Sequence, residues 1–229
     1  MIIEQSVEQT IKMHYDLYVP EREDATQPLP LLIALHGYEG NKESMMNLAQ
    51  KINAEDCIIA SLQAPNGFFI REGSEGGMPR IGFGWMMTYK SPETISLHHR
   101  TVTAMIEKIA EEYPINRQQI FLLAFSQSCS LNYRFAFTHP NQIRGVVAVC
   151  GGIPGDWQED KYQKSDTDIL IIAGESDEFY PIERVRTFQP AMQMRAGRVD
   201  FQSFPVGHIF MREALPVINH WLLERINQR

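Results

Sequence analysis

The sequence predicts an α/β fold: a mostly parallel central sheet with helices on both faces and no large cap domain. Three observations carry this. Continuous apolar runs at 31–35, 57–60, 120–125, 146–150 and 169–173 are interleaved with segments of helical periodicity, and strands buried on both faces have that unbroken apolar character. The alternation persists along most of the chain, as it does where parallel strands are joined through crossover helices. Finally, His36, Ser126, Asp177 and His208 each fall just past the end of a strand, on the edge where such sheets bind ligands.

The elements follow in order. Residues 11–19 alternate apolar and polar, the pattern of a half-exposed outer antiparallel strand. A polar loop leads to the buried run 31–35. Asn41 is placed to cap a helix that turns Met45, Met46, Leu48, Ala49 and Ile52 inward. After the strand at 57–60 the rhythm stops: residues 63–90 show neither helical nor strand periodicity and hold six of the fifteen glycines. Order returns at Ser91-Pro92, a cap with proline in the first turn, opening a long helix that carries Ile95, Val102, Met105, Ile106, Ile109 and Tyr113 on its inner side. Then come a strand at 120–125, a helix at 127–138, strands at 146–150 and 169–173, a helix at 182–194, a strand at 199–204 and a last helix at 209–226.

Composition narrows the function classes. At 229 residues and 44% hydrophobic the chain can bury one good-sized core, and with no linker or repeat it reads as a single domain, 1–229. A net charge of −7 without a Lys/Arg cluster argues against a nucleic-acid partner. The first residues are too acidic and too short in apolar character for a signal peptide, and no run approaches the roughly 20 apolar residues of a membrane span. Cys57, Cys129 and Cys150 are odd in number and lie in or beside apolar runs. They read as buried reduced thiols, so a cytoplasmic location is expected. A homodimer is an assembly the sequence allows.

Ser126 ends the run Phe121-Leu122-Leu123-Ala124-Phe125 and is followed at once by a helix. A tight strand-to-helix turn lifts a hydroxyl clear of the sheet. A serine hydroxyl needs a base within hydrogen-bond reach and a third group to orient that base. His208, after Val206-Gly207, is the candidate base, and Asp177, in Gly174-Glu175-Ser176-Asp177, the candidate orienter, with Glu175 and Glu178 as alternative acids. Backbone N–H groups would stabilise a tetrahedral oxyanion. Those of Gln127, after the serine, and Tyr38, in the loop His36-Gly37-Tyr38, are the candidates, with His36 bracing the loop. No metal or organic cofactor is implied.

With Leu35-His36-Gly37, Ile115-Asn116, Ile120 through Gln127, Gly174 through Asp177 and Gly207-His208, the chain resembles the phospholipase/carboxylesterase branch of the α/β-hydrolase superfamily, which includes acyl-protein thioesterases. The chain order Ser, Asp, His is that of α/β-hydrolases. The resemblance implies an α/β-hydrolase fold, a catalytic triad of Ser126, Asp177 and His208, and a small-molecule ester as substrate. Two departures stand out. Ala124 and Ser128 occupy positions where the family usually has glycine, and Trp85-Met86-Met87 stands where the thioesterases tend to have Trp, an aromatic and Asp.

Blander readings exist for each residue. Ser126 and Asp177 could simply cap helices, and His208 could be a core histidine. His98-His99 lacks a carboxylate at metal-ligand spacing. Phe68, Phe69, Trp85 and Met86, with Phe83, Met87 and Tyr89, could line an acyl pocket or pack on the sheet; a pocket is expected, because the segment leaves a strand on the catalytic edge. Arg71 and Arg80 read as surface arginines. The expected activity is hydrolysis of carboxylic esters with small to medium acyl groups. The alternatives are a thioesterase or lysophospholipase using the same residues, and an inactive binding protein on a hydrolase scaffold.

Overall fold

The computed structural model describes residues 1–70, 79–86 and 91–228. The elements are β1 Tyr15–Tyr18, β2 Leu29–Leu35, α1 Lys42–Asn53, β3 Ile58–Leu62, β4 Asn66–Ile70, β5 Arg80–Gly84, α2 Ser91–Glu112, β6 Ile115–Phe125, α3 Gln127–Thr138, β7 Gly145–Val149, β8 Asp168–Gly174, α4 Ile182–Arg186, α5 Phe188–Gln193, β9 Val199–Phe204 and α6 Ala214–Asn227. Seven strands form one sheet in the order β1-β3-β2-β6-β7-β8-β9, and β4 with β5 forms a separate hairpin. Every pairing in the large sheet is parallel except β1 with β3.

Successive side chains of the central strands divide between two cores. Leu31, Ile33 and Leu35 of β2 and Ile120, Leu122 and Ala124 of β6 pack with the inner sides of α2 and α3. Leu32, Ala34, Phe121 and Leu123 face the other way, onto α1 and α6. Burial on both faces is why these strands lack the alternation of a half-exposed sheet. Asn41 caps α1, its side chain accepting the Ser44 N–H at 2.8 Å. From β2 the chain moves outward to β3, whereas from β6 it moves the opposite way to β7, β8 and β9. The crevice at the carboxyl ends of β2 and β6 is therefore a topological switch point, where open α/β sheets bind ligands.

Several elements differ from the sequence expectation, among them β6, expected over 120–125 but starting at Ile115. The first strand covers only Tyr15–Tyr18, because its partner β3 ends at Leu62, opposite Tyr15. Residues 66–70 and 80–84, expected to lack strand structure, form the β4–β5 hairpin. The helix expected over 182–194 breaks at Thr187 into α4 and α5. Pro190 forbids the longer helix: it has no N–H to give the Arg186 carbonyl, and its ring would clash there. The last helix begins at Ala214, after a turn in which the Ala214 N–H meets the Met211 carbonyl at 3.2 Å.

Candidate active site

Ser126 occupies the single residue between β6 and α3, with φ 56° and ψ −115°. Positive φ costs a residue with a Cβ about 1–2 kcal/mol. Neighbouring bonds hold the turn: the Ser126 N–H donates to the Val149 carbonyl (2.9 Å), and the Cys129 N–H to the Ser126 carbonyl (3.1 Å). Ala124 and Ser128, both fully buried, are small enough for β6 and α3 to meet at this angle.

Ser126 Oγ lies 2.8 Å from His208 Nε2, and His208 Nδ1 lies 2.8 Å from Asp177 Oδ2. A carboxylate only accepts, so Nδ1 carries the hydrogen and Nε2 presents its lone pair to the hydroxyl. Asp177 is fixed in turn: its Oδ1 accepts the N–H groups of Phe179 and Tyr180, each at 2.9 Å, and its side chain is 1% exposed. The imidazole lies between the rings of Phe125 and Tyr180, at centroid distances of 5.2 and 5.8 Å, with Phe179 edge-on at 4.9 Å. Of the alternative acids, Glu175 accepts from Ser203 Oγ (2.8 Å), and both Glu175 and Glu178 are exposed.

The loop after β2 turns back on itself, the Gly40 N–H meeting the Gly37 carbonyl at 3.1 Å, with Glu39 at φ 65°. Gly37 has to be glycine: a Cβ there would stand 2.7 Å from the Phe125 ring and 3.2 Å from Ser126 Cβ. Among the described residues the N–H groups of Tyr38 and Gln127 meet no acceptor. That of Gln127 is the first of α3, where backbone donors are left over and the helix dipole is positive. His36 supports the loop from below. Its Nε2 accepts the Ala64 N–H (3.1 Å), so Nδ1 bears the hydrogen and donates it to the Gly37 carbonyl (2.7 Å). Burial holds its pKa below the usual histidine value, which keeps it neutral.

The expected pocket residues separate. Phe68 stacks on Tyr38 at 4.9 Å, whereas Phe69, on the other face of β4, is 73% exposed. Trp85 departs from the pocket expectation: it is 1% exposed, and its indole N–H donates to the His36 carbonyl at 2.7 Å. The nearby buried acceptor draws the ring inward. Met86 is partly buried, and its carbonyl accepts from Gln127 Nε2 at 3.1 Å. Met87, Tyr89 and Arg71 lie outside the described residues. The Gln127 side-chain bonds and the aromatic clamp on His208 had no linear signal, since their partners lie far apart in sequence.

One grouping of metal-ligand types occurs among the described residues: Cys150, Asp177 and His208, with ligand atoms within 4.8 Å of one another. It is already committed. The carboxylate and imidazole bond each other, and the Cys150 thiol, which donates to the Ile209 carbonyl at 3.4 Å, is pushed up to about 12 by burial and by Asp177.

The model of one protein family, phospholipase/carboxylesterase, matches residues 18–225. Solved structures share the architecture. A Bacillus cereus carboxylesterase aligns with a TM-score of 0.72 at 17% identity, over 93% of this chain and 94% of that one. A phospholipase/carboxylesterase of Dyadobacter fermentans gives 0.69 at 19%, over 94% and 99%. Arabidopsis thaliana SOBER1 gives 0.66 at 17%, over 86% and 99%.

Proposed function

The chain belongs to the phospholipase/carboxylesterase family of α/β-hydrolases, and from that premise we propose that it is a serine esterase acting through an acyl-enzyme on Ser126. The observation that carries this reading is the unbroken series Asp177–His208–Ser126, with contacts of 2.8 and 2.8 Å, at the switch point of the sheet.

In this mechanism Ser126 Oγ attacks the ester carbonyl carbon as its proton passes to His208 Nε2. The carbonyl π pair moves to oxygen, and the N–H groups of Tyr38 and Gln127 receive the oxyanion. Collapse breaks the bond to the alkoxy oxygen, which takes the proton from His208 and leaves as alcohol. Water then attacks the acyl carbon, giving its proton to His208, and expulsion of Ser126 Oγ, which takes that proton back, releases the acid. Asp177 stabilises the imidazolium and fixes its tautomer. The Tyr38–Phe68 stack beside the oxyanion loop supports an apolar wall for small to medium acyl groups. The three unpaired, buried cysteines support a reducing compartment such as the cytoplasm.

A fluorophosphonate probe tests the nucleophile without knowledge of the natural substrate. We expect one adduct per chain, mapped to Ser126 in the wild type and absent from Ser126→Ala. Turnover of p-nitrophenyl esters should be highest for short acyl chains. A folded wild type that takes no label, or labels elsewhere, would overturn the assignment. A rate rising steadily to a sixteen-carbon chain would overturn the substrate class alone.

A further inference from the structure

The residues just after the β4–β5 hairpin are bound to both sides of the site. Trp85 directly follows β5. Its backbone N–H donates to Gln127 Oε1 at 2.7 Å, and Gln127 Nε2 donates to the Met86 carbonyl at 3.1 Å. One carboxamide thus satisfies a backbone donor and a backbone acceptor of consecutive residues. The Trp85 indole N–H reaches the opposite way, to the His36 carbonyl (2.7 Å). The hairpin holds the same loop twice more: Gly40 bridges to Phe83, and Arg80 donates to the Glu39 carbonyl at 3.1 Å. Segment 80–86 therefore spans from the loop carrying the Tyr38 N–H to the residue carrying the Gln127 N–H.

We propose that the Gln127 side chain, through Trp85, is a positioning group that sets the spacing of the two oxyanion donors. This rests on the esterase reading above and assigns a role to the hairpin beyond lining the substrate. The physical need is plain. A donor acts on an oxyanion only when it sits about 2.7–3.1 Å from the final oxygen position, and a misplacement of about 1 Å can cost on the order of 100-fold in rate. The Tyr38 N–H lies on a four-residue turn outside the sheet, so the β2–β6 ladder alone does not fix it. The Trp85 ring, buried between His36 (5.3 Å) and His98 (6.0 Å), gives the link a rigid anchor. Gln127 then acts twice: its backbone as a donor, its side chain by holding the other donor's support in register.

The test compares wild type with Gln127→Met, which keeps the side-chain length and the backbone N–H but loses both carboxamide bonds. Trp85→Phe is the second variant, keeping a ring but losing the indole N–H. Active sites are counted by fluorophosphonate burst, so that partial unfolding does not count as slow chemistry. We expect kcat on p-nitrophenyl acetate to fall about 10- to 100-fold in Gln127→Met with KM within about threefold. The Ki of a trifluoromethyl ketone, which forms a tetrahedral adduct, should rise by a similar factor. Trp85→Phe should move the same quantities in the same direction, and the double variant should lose less than the product of the two losses. A purely structural role would lower the melting temperature and the active-site count and leave kcat per site and Ki alone; that result overturns the proposal, as does a rise in KM at constant kcat. Should Gln127→Met not fold, Trp85→Phe decides by the same criteria. Failure of the esterase reading looks different: the wild type itself would take no label on Ser126, and both proposals would fall together.

Discussion

Ser128 shows what a single hydroxyl does at the turn that carries Ser126. It is fully buried; its Oγ accepts the Phe125 N–H at 3.1 Å and stands 3.0 Å from the carbonyls of Leu35 and Phe125. Its one proton serves one carbonyl at a time. Through Leu35 it ties the end of β2, which leads into the loop holding Tyr38, to the turn that carries Ser126. Ser128→Ala would leave the Phe125 N–H without that acceptor, a loss of about 1–3 kcal/mol for a buried group. Urea unfolding should show a drop of that size; a change below about 0.5 kcal/mol would mean the tie contributes nothing. Residues of this kind divide by what sequence can reveal. That Ser126, Asp177 and His208 would meet could be expected because each falls just past a strand end, and that position is a local property. The bond from Ser128 to Leu35 spans 93 positions, and nothing near either residue announces it. Trp85 misled for a related reason: an aromatic in a glycine-rich segment looks like pocket lining until the acceptor that buries it, the His36 carbonyl, is known.

At the scale of elements, the hairpin was illegible because its glycines hide the period of two. Gly67, Gly82 and Gly84 lie within β4 and β5 and have no side chain to mark a face. The long helix α2 was legible, but the consequence of its adjacent histidines was not. His98, 2% exposed, packs between Trp85 and Phe135, and neither its ring nitrogens nor the Asn132 side chain makes a well-formed hydrogen bond among the described residues. Burial, and then the neighbouring His99, pushes His98 down to about 3; burial, His139 and Arg134 push His99 to about 4. The unfolded chain takes protons on both near pH 6.5 while the folded chain does not, so the unfolded state binds more protons and stability falls as pH drops below about 6.5. The loss for His98 is about 1.4 kcal/mol per pH unit, continuing to about pH 3; for the partly exposed His99 it is smaller. His98→Phe keeps the ring packing and removes the titration. Its unfolding free energy should therefore decline less than the wild type's between pH 6.5 and 5, by about 2 kcal/mol. Parallel pH profiles would show that His98 is accessible to protons in the folded state.

For the molecule as a whole, alternation of strand and helix made the parallel sheet legible, but not its strand order. That order depends on pairings such as β2 with β6, whose residues lie some ninety positions apart, and on what seals the far side. Helix α6 does the sealing. Trp221 lies against Phe121 at 6.4 Å and over Gly145, where a Cβ would come within 2.6 Å of the indole; its N–H donates to Asp200 at 2.9 Å. Arg225, 1% exposed, stacks on that indole at 4.0 Å and bonds Asp168 of β8 (3.1 Å) and Asp200 of β9 (2.8 Å). Arg144, just before β7, reaches the same Asp168 oxygen at 2.9 Å. Two strands and the terminal helix are thus joined through one guanidinium, and His208 lies on the connection between β9 and α6. Removing one partner of a buried ion pair costs more than the pair is worth, because the other charge stays buried. Arg225→Met should therefore destabilise by about 3 kcal/mol, the low end for such a change because Arg144 still neutralises Asp168. The folded fraction should keep its rate of Ser126 labelling, since the Asp177–His208–Ser126 contacts do not pass through Arg225. Unfolding at unchanged denaturant midpoint would mean that packing of Trp221 alone holds α6. A labelling rate that fell with stability retained would mean that the docking of α6 sets the position of His208, and that the sheet's last strand and last helix belong to the catalytic geometry as well as to the fold.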